Sequence, residues 1–341
     1  MKAATSAQSF DTGYFISSMI QLRRESEDKT MVKPARQGRF VLVAGLEHCG
    51  TGWLAEALNR PEIDMVGFHE QKVRILKSNY LDLVKHQQAK GIDERFAPYF
   101  DFIRDQLAKY HTVVDSNSWP TAHLPIVDKI IPVNHVVYII RNGIKNVNSL
   151  VRHTFPVGEI ELRRKIWPRG ALNMLTKTVE IHPDSAWTAD KWQQRIECLR
   201  QDLDQNYESW TDFERFAFNW RCNEILPEWL KMTMGDSRVS VVRFEDLLED
   251  EAALRKLINT LSDAESDAIS DDALREIQGR DVNRKIKGNR DPEKLWKSWS
   301  VEDRGAFKRL CERTMTHFGY DMPSDSLPDI ELSIPFNIFI P

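Results

Sequence analysis

A chain of 341 residues with 47 Lys plus Arg against 51 Asp plus Glu has a formal net charge of −4, which excludes the large basic excess of a nucleic-acid binder. Apolar residues make up 41% and charged residues 29%, an ordinary soluble composition with enough apolar side chains to bury a sizeable core. No stretch approaches the ~20 apolar residues of a membrane span.

Four cysteines, at 49, 198, 222 and 311, lack C-x-x-C spacing and read as free thiols in a reducing compartment, which sets the expectation of a cytoplasmic protein. Phe15-Ile16-Ser17-Ser18-Met19-Ile20 is too short and too broken by serine for the apolar core of a signal peptide.

Residues 1–37 are polar and mixed and read as an N-terminal extension with one short helix around Tyr14–Arg23. The core domain is expected over 38–321. It opens with Phe40-Val41-Leu42-Val43-Ala44, an apolar run typical of a strand buried on both faces. Gly45 and Gly50 bracket a short polar loop, and a helix begins around Leu54. Arg60-Pro61 stops that helix. Met65 to Phe68 reads as a short strand followed at once by His69 and Glu70, and 71–90 as polar and helical in part. Phe100, Ile103 and Leu107 have helical spacing. Thr112-Val113-Val114 is a short strand, ended by the polar run from Asp115 to Pro120. Leu124 to Ile131 is a short helix before Pro132, and Val136 to Ile140 a further buried strand.

From 158 to 235 the pattern turns helical, and six of the ten tryptophans fall here, so this stretch reads as a helical cap whose tryptophans mostly pack between helices. Val239 to Phe244 returns to strand, and helices are expected over 251–261 and 271–278. A basic, glycine-punctuated loop covers 279–292, with Arg280, Arg284, Lys285, Lys287 and Arg290. Ser300 caps a last helix that Gly319 ends, and 322–341 forms a tail that is apolar at its end. Strands alternating with helices imply an α/β fold with a parallel β-sheet flanked by helices, and ligand binding at the carboxyl ends of its strands.

The loop after the first strand carries the chemistry. Strand, glycine-bracketed loop and helix make a phosphate cradle, in which amides at the helix start face an anion. Gly45 to Gly50 fits the first part of G-x-x-x-x-G-K-[ST], but Thr51 stands where a nucleotide triphosphatase needs lysine. An ordinary turn between strand and helix has the same outline.

His48-Cys49-Gly50-Thr51-Gly52-Trp53 resembles the 5′-phosphosulfate-binding loop of the sulfotransferases, written K-S-G-T-T-W. His135 to Leu150 resembles the family's 3′-phosphate motif, a strand, an arginine and a serine eight residues on, matched by Arg141 and Ser149. Arg238 to Asp250 resembles the strand that ends in Tyr-Glu-Asp-Leu, and the stretch from Leu295 to Met322 the family's end region. The four matches stand in the family's order.

The resemblance implies a fold of the P-loop nucleotide-hydrolase type with a helical insertion. It implies transfer of a sulfuryl group from 3′-phosphoadenosine 5′-phosphosulfate (PAPS), without a metal, to a hydroxyl or amine of a small molecule or glycan. The loop residues His48 to Trp53 would hold the 5′ end, with Trp53 stacking on adenine or packing helix to sheet. Arg141 and Ser149 would hold the 3′-phosphate, and Arg284 and Lys285 join the cofactor-binding set.

Four departures stand against the family pattern. His48 replaces the loop lysine, Gly52 the second threonine and Phe244 the tyrosine, and Asn117 occupies the place of the base histidine found after the third strand of cytosolic members. An imidazole has a reference pKa near ~6.5, so His48 can carry a charge only in part of the pH range. Carbohydrate-type members use an acid after the first helix, where Glu70 and His69 fall. Glu70 is the first choice for the general base, His69 the second and His123 the third. Alternatives are a non-catalytic nucleotide-binding or regulatory protein and, less favoured, a P-loop kinase. The expected partner is a small-molecule or glycan acceptor, with no nucleic acid and no membrane, and a homodimer stays open.

Overall fold

Phe40 to Ala44 is apolar at every position because both faces of its strand are covered. The computed structural model describes residues 38–71, 92–117, 124–153, 190–262, 269–279 and 291–324. In it Arg39–Gly45 forms β1, at the centre of a five-stranded sheet. Then come α1 (Thr51–Ala57), β2 (Met65–His69), α2 (Ile92–Leu107), β3 (Thr112–Ser116), α3 (Leu124–Ile130), β4 (Val133–Ile140) and α4 (Gly143–Val151). The helices α5 (Asp190–Asn206), α6 (Asp212–Arg221) and α7 (Leu226–Met234) precede β5 (Val239–Arg243). The chain continues through α8 (Phe244–Glu249), α9 (Glu251–Ser262), α10 (Asp271–Gly279), α11 (Pro292–Ser298) and α12 (Val301–His317).

The strand order is β2-β3-β1-β4-β5, and every neighbouring pair is parallel. From β1 the chain passes beyond the place of β3 to reach β2, and from β3 it crosses β1 to reach β4. The winding reverses at β1, so the loop that leaves β1 opens into the crevice of a topological switch point.

Phe40, Leu42 and Ala44 join a core with Phe96, Tyr99 and Ile103 of α2, Ile144 and Val147 of α4, and buried residues of α5, α6, α7 and α12. Val41 and Val43 face the other way, into a core with Trp53, Leu54 and Leu58 and with the apolar faces of α9 and α10. Each fully buried aliphatic side chain contributes about 1.5–3 kcal/mol, so the two cores fix β1 from both sides.

Several elements extend past their expected ends. β3 runs on to Ser116, because Ser116 pairs with Val43 on one side and His69 on the other, and this satisfies the backbone of a polar segment. β4 begins at Val133, directly after Pro132, and the Val133 amide is held by Asp128 Oδ1 at 2.8 Å. α1 starts at Thr51, one turn before the apolar Leu54, and Phe244 opens α8 instead of closing β5. The described part of 158–235 is helical and shares the sheet's core, with Trp210, Trp220 and Trp229 all buried among sheet residues.

The chain divides into two units, Met1–Gln37 and Gly38–Pro341. The first unit, with the helix expected around 14–23, lies outside the described residues, as do 72–91 and the tail from 325. Among the described residues no helix is long and apolar enough to cross a membrane.

Candidate functional site

The loop after β1 is shaped by close approaches. A Cβ on Gly45 would lie 2.5 Å from Cys49 Sγ and 2.7 Å from the Ile139 carbonyl oxygen. His48 and Gly50 take left-handed backbone conformations, with φ of 62° and 105°. Glycine adopts this freely, and histidine is one of the few side chains enriched there. The first bond of α1 runs from Leu54 N to Gly50 O at 3.0 Å, so the amides of Gly50, Thr51, Gly52 and Trp53 precede the helical ladder. The Cys49 amide is spent on Leu46 O at 3.3 Å.

The stretch that resembles the 3′-phosphate motif meets this loop directly. Arg141 Nη1 donates to His48 O at 2.7 Å, and His48 Nδ1 shares a hydrogen bond with Ser149 Oγ at 2.8 Å. Asn146 Nδ2 donates to Glu47 O at 2.8 Å, so the turn after β1 is fastened at two points to α4 and at a third to Arg141 just before it. The His153 ring meets the His48 ring edge-on at 4.8 Å. Phe244, at the start of α8, forms the floor. It meets Trp53 edge-on at 5.5 Å, lies 5.7 Å beneath the Arg141 guanidinium and leaves no room for a Cβ on Gly50, which would come within 2.5 Å of its ring.

On the other side, Ser116 Oγ donates to Thr51 O at 2.7 Å and His69 Nε2 approaches Thr51 Oγ1 at 3.4 Å. The His69 ring also lies 3.5 Å from where a Gly52 Cβ would stand, so that side chain borders the loop. Glu70 follows with a left-handed φ of 51° and donates its amide to Ser116 O at 3.1 Å; both side chains are exposed. Asn117 is buried. Its amide closes onto Val43 O at 2.9 Å and its side chain reaches Gln71 O at 3.5 Å.

The structure therefore gathers His48, Cys49, Gly50, Thr51, Gly52, His69, Arg141 and Ser149 around one loop, with Glu70 at the adjoining strand end. Trp53 is 5% exposed; its side chain lies in the core with Val41 and Val43 of β1 and meets Phe244 edge-on. Cys49 is buried inside the loop. Burial outweighs the Thr51 amide and Arg141 and pushes the thiol up to about 12, so it is a neutral packing group. His123, Arg284 and Lys285 lie outside the described residues.

Two groups went unassigned in the sequence reading. Asp115, fully buried near the end of β3, accepts the Tyr99 hydroxyl at 2.9 Å. Burial raises its pKa to about 7; the Glu70 charge adds to this, and hydrogen bonds from Tyr99 and Asn117 oppose it. Glu245, in the Phe-Glu-Asp-Leu stretch, accepts the Asn142 amide at 3.3 Å and pairs with Lys145 at 3.7 Å. That stretch is the only sequence signal for it. Among the described residues no group of three or more His, Cys, Asp or Glu is placed to hold a metal.

No known-family model and no curated protein matches this sequence. Among solved structures the chain is similar to the sulfotransferase domain from the Synechococcus PCC 7002 olefin synthase, at 15% identity and a TM-score of 0.41, over 86% of this chain and 100% of that one.

Proposed function

We propose that this protein is a PAPS-dependent sulfotransferase acting on a hydroxyl or amine of a small molecule or glycan. The observation that carries the reading is the meeting of two stretches that the family resemblance pairs. Arg141 and Ser149, 93 and 101 residues from His48 in sequence, both hydrogen-bond to it. A bidentate guanidinium suits a phosphate, and the amides that open α1 suit a second one. Together these groups would hold a nucleotide with phosphates at both its 3′ and 5′ positions.

PAPS would supply the sulfuryl group. The residues of the chain would hold and orient it, neutralise charge on the leaving phosphate, and take the acceptor's proton. His69 and Glu70, bordering the loop at the end of β2, are the proposed proton acceptors, and both lie at the exposed strand edge where an acceptor could enter.

Thermal unfolding with added ligand tests the reading. Adenosine 3′,5′-bisphosphate without magnesium should raise the midpoint, because a ligand that binds only the folded chain stabilises it. Stabilisation by magnesium-ATP alone would make the protein a kinase-like nucleotide binder. Single-turnover sulfuryl transfer then separates an enzyme from a binding protein. Glu70→Gln should keep bisphosphate binding and lose on the order of 10²-fold in rate, and His69→Ala should lose less. A larger loss in His69→Ala would reverse the two roles.

A further inference from the structure

Three backbone polar groups of two successive peptides lie where β4 becomes α4, and each is held by a side chain from a different part of the chain. β4 pairs with β5 as far as Ile140↔Arg243, so the backbone from Arg141 onward has left the ladder and needs other partners. Ile140 O accepts the Tyr320 hydroxyl at 3.3 Å. Arg141 O accepts Trp220 Nε1 at 3.0 Å. Asn142 N donates to both Glu245 oxygens at 3.3 Å. The remaining contacts link the braces to one another. Tyr320 also approaches Glu245 Oε2 at 2.8 Å, so its one hydroxyl proton is shared, with the shorter contact to the carboxylate. Arg243 Nη1 donates to Gly319 O at 2.8 Å, and its guanidinium lies 5.3 Å from the centre of the Tyr320 ring.

We infer that Glu245 and Tyr320 are positioning residues for Arg141: they lock the backbone on either side of it and so aim its guanidinium across the loop at the 3′-phosphate position. This inference rests on the proposed nucleotide reading. The amides that open α4 support it. Asn142 Oδ1 accepts the Ile144 and Lys145 amides at 3.1 and 3.2 Å, and Glu245 takes the Asn142 amide, so these donors are consumed inside the protein. An anion at this place is therefore read by side chains, and the aim of Arg141 decides how well. Glu245 is itself a carboxylate near that anion. Its charge is met by Lys145 at 3.7 Å and lies near Arg243, which reduces its repulsion of a phosphate. Burial and the neighbouring Glu245 charge both raise the Tyr320 pKa, so the hydroxyl stays a donor throughout the working pH range.

The experiment is calorimetric titration with adenosine 3′,5′-bisphosphate and with AMP, which lacks the 3′-phosphate. It compares the wild-type chain with Arg141→Ala, Tyr320→Phe, Glu245→Ala and Glu245→Gln. Tyr320→Phe and Glu245→Ala should each lower the preference for the bisphosphate by roughly fivefold to tenfold and leave AMP affinity unchanged. Glu245→Gln keeps an oxygen acceptor for Asn142 and should restore most of the preference.

A purely structural role would lower the unfolding temperature and leave the ratio of the two affinities as it was; that result in Tyr320→Phe overturns the inference. Should Glu245→Ala fail to fold, Tyr320→Phe, which removes a single hydroxyl, decides the matter alone. A wild-type chain with no preference between the two nucleotides refutes the nucleotide reading itself, whereas an Arg141→Ala variant that keeps the wild-type preference overturns this inference alone, because Arg141 then does not read the 3′-phosphate.

Discussion

Gly50 and Gly52 stand two positions apart and answer to different constraints. Gly50 needs both its φ of 105° and the absence of a Cβ, which would meet the Phe244 ring at 2.5 Å. Gly52 lies inside α1, and a Cβ there meets only the His69 ring at ordinary contact distance, 3.5 Å. Gly50→Ala should cost ~2–4 kcal/mol from backbone strain and overpacking. Gly52→Ala should stabilise by up to ~1 kcal/mol, because alanine gives up less chain entropy in a helix. Urea unfolding of the two variants checks the contrast, and equal effects would refute it. The loop pattern made both glycines legible, but not the different reasons for them, because Phe244 comes from the far side of the chain.

Asp115 gives a pH prediction at the same scale. Its pKa of about 7 in the folded chain lies above the ordinary aspartate value. Below pH ~4 both folded and unfolded chains hold the proton. From there to about pH 7 the folded chain keeps a proton that the unfolded chain releases, so stability falls as pH rises and levels off above. At 1.4 kcal/mol for each tenfold change in proton affinity, the site costs ~2–4 kcal/mol at pH 8 relative to pH 4. Asp115→Asn keeps an acceptor for the Tyr99 hydroxyl and carries no charge. The variant should gain on wild type as pH rises from 5 to 8, read as the difference in urea midpoint. A constant difference across that range would mean that Asp115 stays ionised.

At the scale of elements, the spacing between β2 and α1 sets where His69 and Glu70 stand. Gly67 in β2 is pressed against α1 so closely that a Cβ would lie 2.2 Å from the Ala55 carbonyl oxygen. Gly67→Ala must push the strand away from the helix, at ~1–3 kcal/mol. The two residues after Phe68 should move with it, so turnover should fall at temperatures where the variant is still fully folded, while bisphosphate affinity persists. Full activity in a folded Gly67→Ala would show that this contact does not position the strand end. Element types were readable from the apolar runs of β1 and β4 and from Ser300, whose side chain accepts the Asp303 amide at 3.0 Å. Ends were less readable. The extension of β3 through Asp115 and Ser116 depends on strands on both sides, and local polarity argues for a turn there.

For the molecule as a whole, the reversal of winding at β1 brings the loop from one strand against the end of the next strand over. Arg141, at the end of β4, thereby reaches His48 O at 2.7 Å. Arg141→Ala should lower affinity for adenosine 3′,5′-bisphosphate by ~1.5–3 kcal/mol, the scale of a hydrogen bond to a charged group. Calorimetry against AMP is the check, and equal weakening of both nucleotides would mean that Arg141 does not read the 3′-phosphate.

The sequence by itself determined the alternation of strand and helix, the glycine-bracketed loop after the first strand, and the eight-residue spacing of Arg141 and Ser149. These are local: an apolar run, a φ that favours glycine, and a spacing that puts two residues on neighbouring parts of a strand end and a helix. Only the tertiary structure decided how these groups are held. It turned Trp53 inward and made the Cys49 thiol neutral. It raised the Asp115 pKa through burial, and it set Trp220, Glu245 and Tyr320 around the backbone of Arg141. Each of those outcomes depends on groups that are distant in the chain and adjacent in space, where burial and close contact decide what a side chain can do.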